Sequence, residues 1–215
     1  MLLSMYNSKP QVGIDGNLYS IDDTTRVSIE EGFLLNELCQ KVRKKNILEV
    51  GFGYGFSSIF ILSAIIDEPT WTHTAIDPYQ YTDWKGIGFA SVLHILNYRN
   101  ADVQSFKLIS SCSDIALSSL QSLGKKFDLI FIDGYHRFDD VLVDFYLSTK
   151  ICNIGGYVVL HDLWLDSIKA VASFINSNRL DFKEIITECK NVCVFQKIKE
   201  DQRDWRHYVG FNAFP

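Results

Sequence analysis

Short apolar runs alternate with amphipathic stretches along most of this chain, and each run predicts a strand or a helix in turn. Ile47, Leu48 and Val50 are the aliphatic and β-branched types of a buried strand, and Ser57 to Ile66 reads as the helix that follows. A second strand spans Trp71 to Ile76 and stops at Asp77-Pro78, because proline cannot donate to a ladder. Residues 83–97 read as helix and Val103 to Ile109 as strand. Ser111 to Leu123 reads as a helix with serine available as its cap. Phe127 to Ile132 is almost purely apolar, which implies burial on both faces. Over 138–150, Phe138, Val141, Leu142 and Phe145 recur at helical spacing, and Asp139, Asp140 and Asp144 fall off that stripe. Gly155-Gly156 turn the chain into a fifth strand, Tyr157 to Leu160, which ends at His161-Asp162. A helix near 164–177 and two β-like runs near 182–187 and 192–197 close the pattern as an antiparallel finish. Upstream, residues 28–43 read as a helix capped by Ser28, with Glu31 in capping-box position and Phe33, Leu34, Leu38 and Val42 on one stripe.

Strands alternating with helices predict an α/β fold, a mostly parallel sheet with helices on both faces. Residues 1–27 are an N-terminal extension, 28–198 the domain, and 199–215 an aromatic tail. Such a tail is costly to leave in water, so it is expected to fold over the mouth of the site or to dock on a second subunit of a homodimer.

Composition narrows the class. With 215 residues, 47% hydrophobic and 22% charged, the chain fits one sizeable globular core. A net charge of −5 and no basic cluster longer than Lys41 to Lys45 argue against a nucleic-acid partner. Five scattered cysteines without a CxxC pair suggest neither a disulfide framework nor a zinc knuckle, and fit a reducing cytoplasm. No run approaches the roughly 18 apolar residues of a membrane span, and the first ten residues lack the apolar stretch of a signal peptide.

The densest chemical signal is Asn46-Ile-Leu-Glu-Val-Gly-Phe-Gly-Tyr-Gly-Phe-Ser-Ser58. Gly51, Gly53 and Gly55 fall at a strand-to-helix turn, where missing Cβ atoms allow a tight turn and close approach of a ligand. The spacing is GxGxG, and Phe56 stands where a dinucleotide fingerprint needs its third glycine, which speaks against a nicotinamide or flavin oxidoreductase. In an open α/β sheet ligands bind beyond the carboxyl ends of the strands. The polar residues there are Glu49, Asp77, Ser111 to Ser113, Asp133 with His136, and His161-Asp162. Asp77 follows the loop at the interval of a ribose-binding carboxylate, which implies a nucleoside-bearing cofactor.

The runs ILEVGFGYGFSS, TAIDPYQ, FDLIFIDGYHRFDDVLVDFYL and GGYVVLHDLW, in that order, closely resemble class I S-adenosylmethionine-dependent methyltransferases. The likeness is to the small-molecule branch related to catechol and macrolide-sugar O-methyltransferases, and it covers roughly residues 22 to 198. It implies a Rossmann-like seven-stranded sheet with the last strand antiparallel, and S-adenosylmethionine as cofactor. By that resemblance Glu49, Gly51, Gly53 and Gly55 line its methionine part and Ser57 its carboxylate. Asp77 and Pro78 meet the ribose, Ser111, Cys112 and Ser113 the adenine edge, and Asp133 sits beside the sulfonium. The acceptor is expected to be a small molecule, a hydroxyl on a sugar or secondary metabolite.

Methyl transfer needs positioning and often removal of a proton. His136 is the first candidate base, because imidazole titrates near neutral pH, and His161 the second. In metal-dependent relatives carboxylate or amide oxygens at these strand ends hold Mg²⁺. Here Asp133 and Asp162 are the candidate ligands, but His161 and Leu163 flank Asp162 where a hard oxygen donor would be needed, so metal dependence stays open. A cofactor-binding module of the same fold without catalysis is the alternative of a different class.

Overall fold

The computed structural model describes residues 2–22 and 24–212. In chain order these form α1 (Leu2–Tyr6), a hairpin of β1 (Gln11–Val12) and β2 (Leu18–Tyr19), α2 (Ile29–Lys41), β3 (Lys45–Val50), α3 (Phe56–Ile65), β4 (Trp71–Ile76) and α4 (Ile87–Tyr98). A 3-10 turn, Val103–Ser105, leads into β5 (Phe106–Ile109), followed by α5 (Ser113–Ser122), β6 (Phe127–Ile132), α6 (Phe138–Ile151), β7 (Cys152–Leu160), α7 (Asp166–Asn178), β8 (Phe182–Ile185) and β9 (Cys193–Lys197).

Seven strands make one sheet in the order β5-β4-β3-β6-β7-β9-β8. The first five are parallel, and β9 lies between β7 and β8, antiparallel to both. The expected α/β class and antiparallel last strand are thus what the chain forms. One core, with Leu35, Ile61 and Ile87, packs α2, α3 and α4 on one face of the sheet; a second, with Leu117, Phe145 and Val171, packs α5, α6 and α7 on the other. Every residue of β6 is buried, as its unbroken apolar run required.

Local signals account for several boundaries. The Ser28 side chain accepts from the Glu31 N–H at 3.2 Å, and Glu31 Oε2 accepts from the Ser28 N–H at 2.5 Å, which completes the capping box of α2. At the other end the buried Lys45 ammonium donates to the carbonyls of Cys39, Gln40 and Val42, the groups a helix terminus leaves unpaired.

Four expectations need correction. The buried stripe of α2 is Leu35, Leu38, Cys39 and then Val42, and Phe33 is 63% exposed. Gly32 turns the helix that way: a Cβ there would lie 2.3 Å from the Phe60 ring, so the glycine lets α2 settle against α3. On α6, Asp144 does not point to solvent but is 1% exposed, whereas Phe138 is on the surface. Strand β7 begins at Cys152, ahead of the glycine pair, and a register shift opposite Phe127–Leu129 absorbs Gly155-Gly156. The serine cap expected for α5 is absent, because Cys112 takes the cap position.

Both ends of the chain join the domain. The N-terminal extension buries Met5 completely, and the Ile14 N–H donates to the Lys85 carbonyl ahead of α4. The tail runs along α7. Asn178 exchanges hydrogen bonds with the Val209 backbone, Ser173 Oγ donates to the Asn212 carbonyl, and Phe174 meets Phe211 edge to face. Up to Asn212 it packs on α7, and residues 213–215 lie outside the described residues.

Burial pushes the Asp144 carboxyl up to about 6, with Ser113 offsetting part of the effect. The unfolded chain releases this proton near pH 4 and the folded chain about two pH units later. Ionised Asp144 therefore costs stability above its folded pKa and costs none below about pH 4. Asp144→Asn is expected to stabilise the protein by on the order of 2 kcal/mol at about pH 7.5, with the gain vanishing near pH 4. Equal melting temperatures at the higher pH would refute this.

Candidate functional site

The carboxyl ends of the parallel strands are tied side by side by backbone hydrogen bonds. Gly51 N–H donates to the Ile76 carbonyl, Asp77 N–H to Ile109, Asp133 N–H to Val50 and His161 N–H to Ile132. Asp77, Asp133 and His161 thereby stand in one row although the chain separates them widely. Gly51, Gly53 and Gly55 have φ of 88°, 51° and 81°, backbone that an L side chain rarely adopts. Gly51 has a second reason to be glycine: a Cβ there would lie 2.0 Å from the Asp133 carbonyl oxygen.

Glu49 and Ser57 turn toward each other. The Ser57 and Ser58 hydroxyls donate to the two oxygens of the fully buried Glu49, and His73 Nε2 lies 3.2 Å from the same carboxylate. These groups brace the end of β3 against the start of α3. Asp77 is 4% exposed; its Oδ2 accepts from the N–H groups of Gly53 at 2.8 Å and Phe52 at 3.2 Å, and its Oδ1 from Tyr79 at 2.8 Å. A carboxylate oxygen has more than one lone pair, so this engagement leaves acceptor capacity for a ribose hydroxyl. Pro78 and the Ser111-Cys112-Ser113 turn flank Asp77 at the ends of β4 and β5.

Three contributors, Gln80, Tyr79 and Tyr135, were not among the expected site residues. Gln80 is fully buried, donating to the Gly53 carbonyl at 2.8 Å and accepting from the Phe89 N–H at 3.2 Å, so the segment after Asp77 is pinned to the glycine loop. Tyr79 and Tyr135 reach across from the ends of β4 and β6, their hydroxyls 2.5 Å apart.

Beside this row lies an ionic cluster. His161, on the end of β7, is 6% exposed and bridges Asp133 at 3.0 Å through Nδ1 and Glu31 at 3.2 Å through Nε2. Burial alone would strip its proton, but Asp133, Asp162 and Glu31 overcome that and push its pKa up to about 12. Held as an imidazolium, His161 has no lone pair with which to act as a base. Glu31 is drawn down to about 2: hydrogen bonds from His161, Ser28 and Asn191 outweigh its burial. The sequence marked Glu31 only as a helix cap.

Asp162 has φ of 59°, a left-handed conformation that aspartate tolerates better than most residues. Its Oδ1 accepts from Trp164 Nε1 at 2.9 Å, and its Oδ2 lies 2.9 Å from His136 Nε2. His136, 41% exposed at its side chain, also lies 3.5 Å from Asp133 Oδ1. Asp133 and Asp162 push its pKa up to about 9, well above the near-neutral value expected of a free imidazole. Asp133, His136 and Asp162 each bring one ligand atom within 4.8 Å of the others, so two carboxylates and an imidazole fit a divalent cation. A groove of about 810 Å³ starts at Trp164 and Asn191 and runs between α7 and β8, with Lys169, Lys190 and Asn176 on its walls and Asn212 on its border.

A Rossmann-like sheet with a glycine turn and titratable groups at adjacent strand ends defines a cofactor-binding α/β domain. Residues 48–163 match the methyltransferase domain family, and the chain belongs to it. It has the fold of the O-methyltransferase TomG of Streptomyces achromogenes, solved with SAM, at 20% identity, TM-score 0.65 and coverage of 81% of this chain and 82% of that one. It is likewise similar to the TDP-rhamnose 3'-O-methyltransferase of calicheamicin biosynthesis, at 12% identity, TM-score 0.62 and coverage of 78% and 79%. An uncharacterized protein of Acanthamoeba polyphaga mimivirus is 36% identical over 66 residues, 31% of this chain and 29% of that protein's length. No helix among the described residues is long and apolar enough to cross a membrane.

Gly51→Ala places its methyl against backbone that cannot yield. It is expected to lower the melting temperature by at least 5 °C, roughly 2 kcal/mol for a domain of this size, and to weaken binding of S-adenosylhomocysteine at least tenfold. An alanine variant with wild-type stability and affinity would show that the crossing of β3 and β6 tolerates a side chain.

Proposed function

We propose that this protein transfers a methyl group from S-adenosylmethionine to a hydroxyl of a small-molecule acceptor, a sugar or secondary metabolite. The observation that carries the reading is the shared crevice: the glycine loop and Asp77 stand beside the Asp133–His136–Asp162 cluster on adjacent strand ends. Family membership supports the reaction class, and the similar folds that act on a sugar nucleotide or in tomaymycin synthesis support the acceptor class.

In this reading Gly51, Gly53 and Gly55 leave room for the methionine part, shaped from behind by Glu49 and Ser57. Asp77 accepts from the ribose, Pro78 and residues 111–113 border the adenine, and Tyr79 and Tyr135 close over it. The methyl group then faces Asp133, and the acceptor enters from the groove beside Trp164. Transfer is an in-line displacement, so alignment of hydroxyl, methyl and sulfur is the main contribution of the chain. His161, fixed between Glu31 and Asp133, positions the Asp133 carboxylate. His136, on the open side, is the side chain the acceptor hydroxyl meets. Mg²⁺ is the ion that metal-dependent relatives imply; Asp133 and Asp162 would hold it, and a cation there would lower the pKa of a nearby hydroxyl. The described residues hold five free cysteines, three of them buried, in keeping with a reducing cytoplasm.

Calorimetry tests the cofactor. S-adenosylhomocysteine is expected to bind in the micromolar range and NAD not at all, and Asp77→Ala should lose at least tenfold in affinity; wild-type affinity in that variant would remove the ribose assignment. His136→Ala is expected to lower turnover by ~10²–10⁴-fold with cofactor affinity kept. Full turnover in that variant would take His136 out of the reaction.

A further inference from the structure

We propose that Asp133, His136 and Asp162 form a three-donor site for a divalent first-row transition ion, and that His136 Nε2 is the donor that selects this ion over Mg²⁺. The inference shares the strand-end site with the methyl-transfer reading and deepens it by naming the ion.

The geometry of the donors carries it. A cation with bonds of about 2.1 Å at right angles needs neighbouring donor atoms about 3 Å apart. His136 Nε2 stands 2.9 Å from Asp162 Oδ2 and 3.5 Å from Asp133 Oδ1, so the imidazole is already at the distance of a neighbouring ligand from both carboxylates. The three sit close together at the end of β6, in the turn before α6 and at the end of β7.

Each donor is also held by a group behind it. Trp164 Nε1 at 2.9 Å and Asn191 Nδ2 at 3.4 Å occupy Asp162 Oδ1, which leaves Oδ2 for the cluster. His161 Nδ1 holds Asp133 from its buried side at 3.0 Å. Such outer contacts orient the ligands of metal sites. They also remove the competing oxygens. Both Glu31 oxygens are engaged, by Ser28 and His161 on one and Asn191 on the other, and Asn191 Oδ1 accepts from the Trp164 N–H. Position 163, after Asp162, is a half-buried leucine whose side chain has no donor atom and packs on the core. The third donor of this chain is therefore a nitrogen.

That choice has a chemical consequence. Mg²⁺ favours all-oxygen shells and sheds water reluctantly, whereas affinity for a site with a nitrogen donor rises along the first-row transition ions, from Mn²⁺ at the weak end to Cu²⁺. His136 is partly exposed, so the face of the ion away from the protein would stay open to water or to an acceptor oxygen.

The test uses the full chain, stripped with a chelator, with Mn²⁺ and Mg²⁺ as probes. Calorimetry should show Mn²⁺ binding at least tenfold tighter than Mg²⁺, and pulsed electron paramagnetic resonance of bound Mn²⁺ should show coupling to one imidazole nitrogen. His136→Ala should lose that coupling and at least tenfold in Mn²⁺ affinity. His136→Asp, which restores an oxygen donor, should bring the two affinities together. Equal affinity for both ions in the wild type, absence of nitrogen coupling, or no binding of Mn²⁺ would each overturn the proposal. S-adenosylhomocysteine binding, measured on the same samples, separates the outcomes: if it persists while Mn²⁺ fails to bind, the metal inference alone is lost, and if it is absent, the cofactor reading fails.

Discussion

The structure depends on the crossing of Gly51 over the Asp133 carbonyl. Strands β3 and β6 pair in parallel up to Val50 and Ile132, and at the next residues the two backbones come so close that no Cβ fits between them. This contact aligns the glycine loop with the end of β6, and the Asp133 side chain with the crevice the loop opens. The adjacent bonds, Gly51 to Ile76 and Asp77 to Ile109, extend the alignment across the sheet. Backbone pairing is obligatory for buried strands, so the row of strand ends is as firm as the sheet.

Upon that row sits a concentration of charge that would be costly anywhere else in the core. Glu31, Asp133 and Asp162 surround His161, and a buried carboxylate or imidazolium survives only when paired and hydrogen-bonded. Glu31 is the least obvious member. It belongs to α2 and completes a capping box there, yet its second role is to anchor the imidazolium at the end of β7. The helix that precedes the sheet is thereby tied to the site chemistry. His161 and His136, equivalent as candidates by residue type, part company: one is sealed among carboxylates, and the other reaches the open side.

Much of this was legible beforehand because it rests on local chemistry. The strand-ending residues Asp77, Asp133 and Asp162 were readable from apolar runs that stop at a carboxylate, and the loop from three glycines whose positive φ values the turn requires. The misses share a cause, which is rotation or contact set by a distant element. Phe33 and Leu35 exchange places because Gly32 meets Phe60, and Asp144 is buried because α5 closes over it with Ser113 nearby. Gln80 lies among aromatic and polar neighbours with no periodicity, and only the fold brings Gly53 and Phe89 to the two ends of its amide.

By itself the sequence determined the alternation of elements, the α/β class, the glycine turn and the identity of the groups available at the strand ends, since each follows from periodicity or backbone freedom within a few residues. Only the tertiary structure decided which of those groups meet. Sheet order brings β3 beside β6 and β6 beside β7, and hence Asp133, His136, His161 and Asp162 into one cluster with Glu31. Their protonation follows from that proximity, because pKa values respond to charges a few ångströms away in space, whatever their separation along the chain.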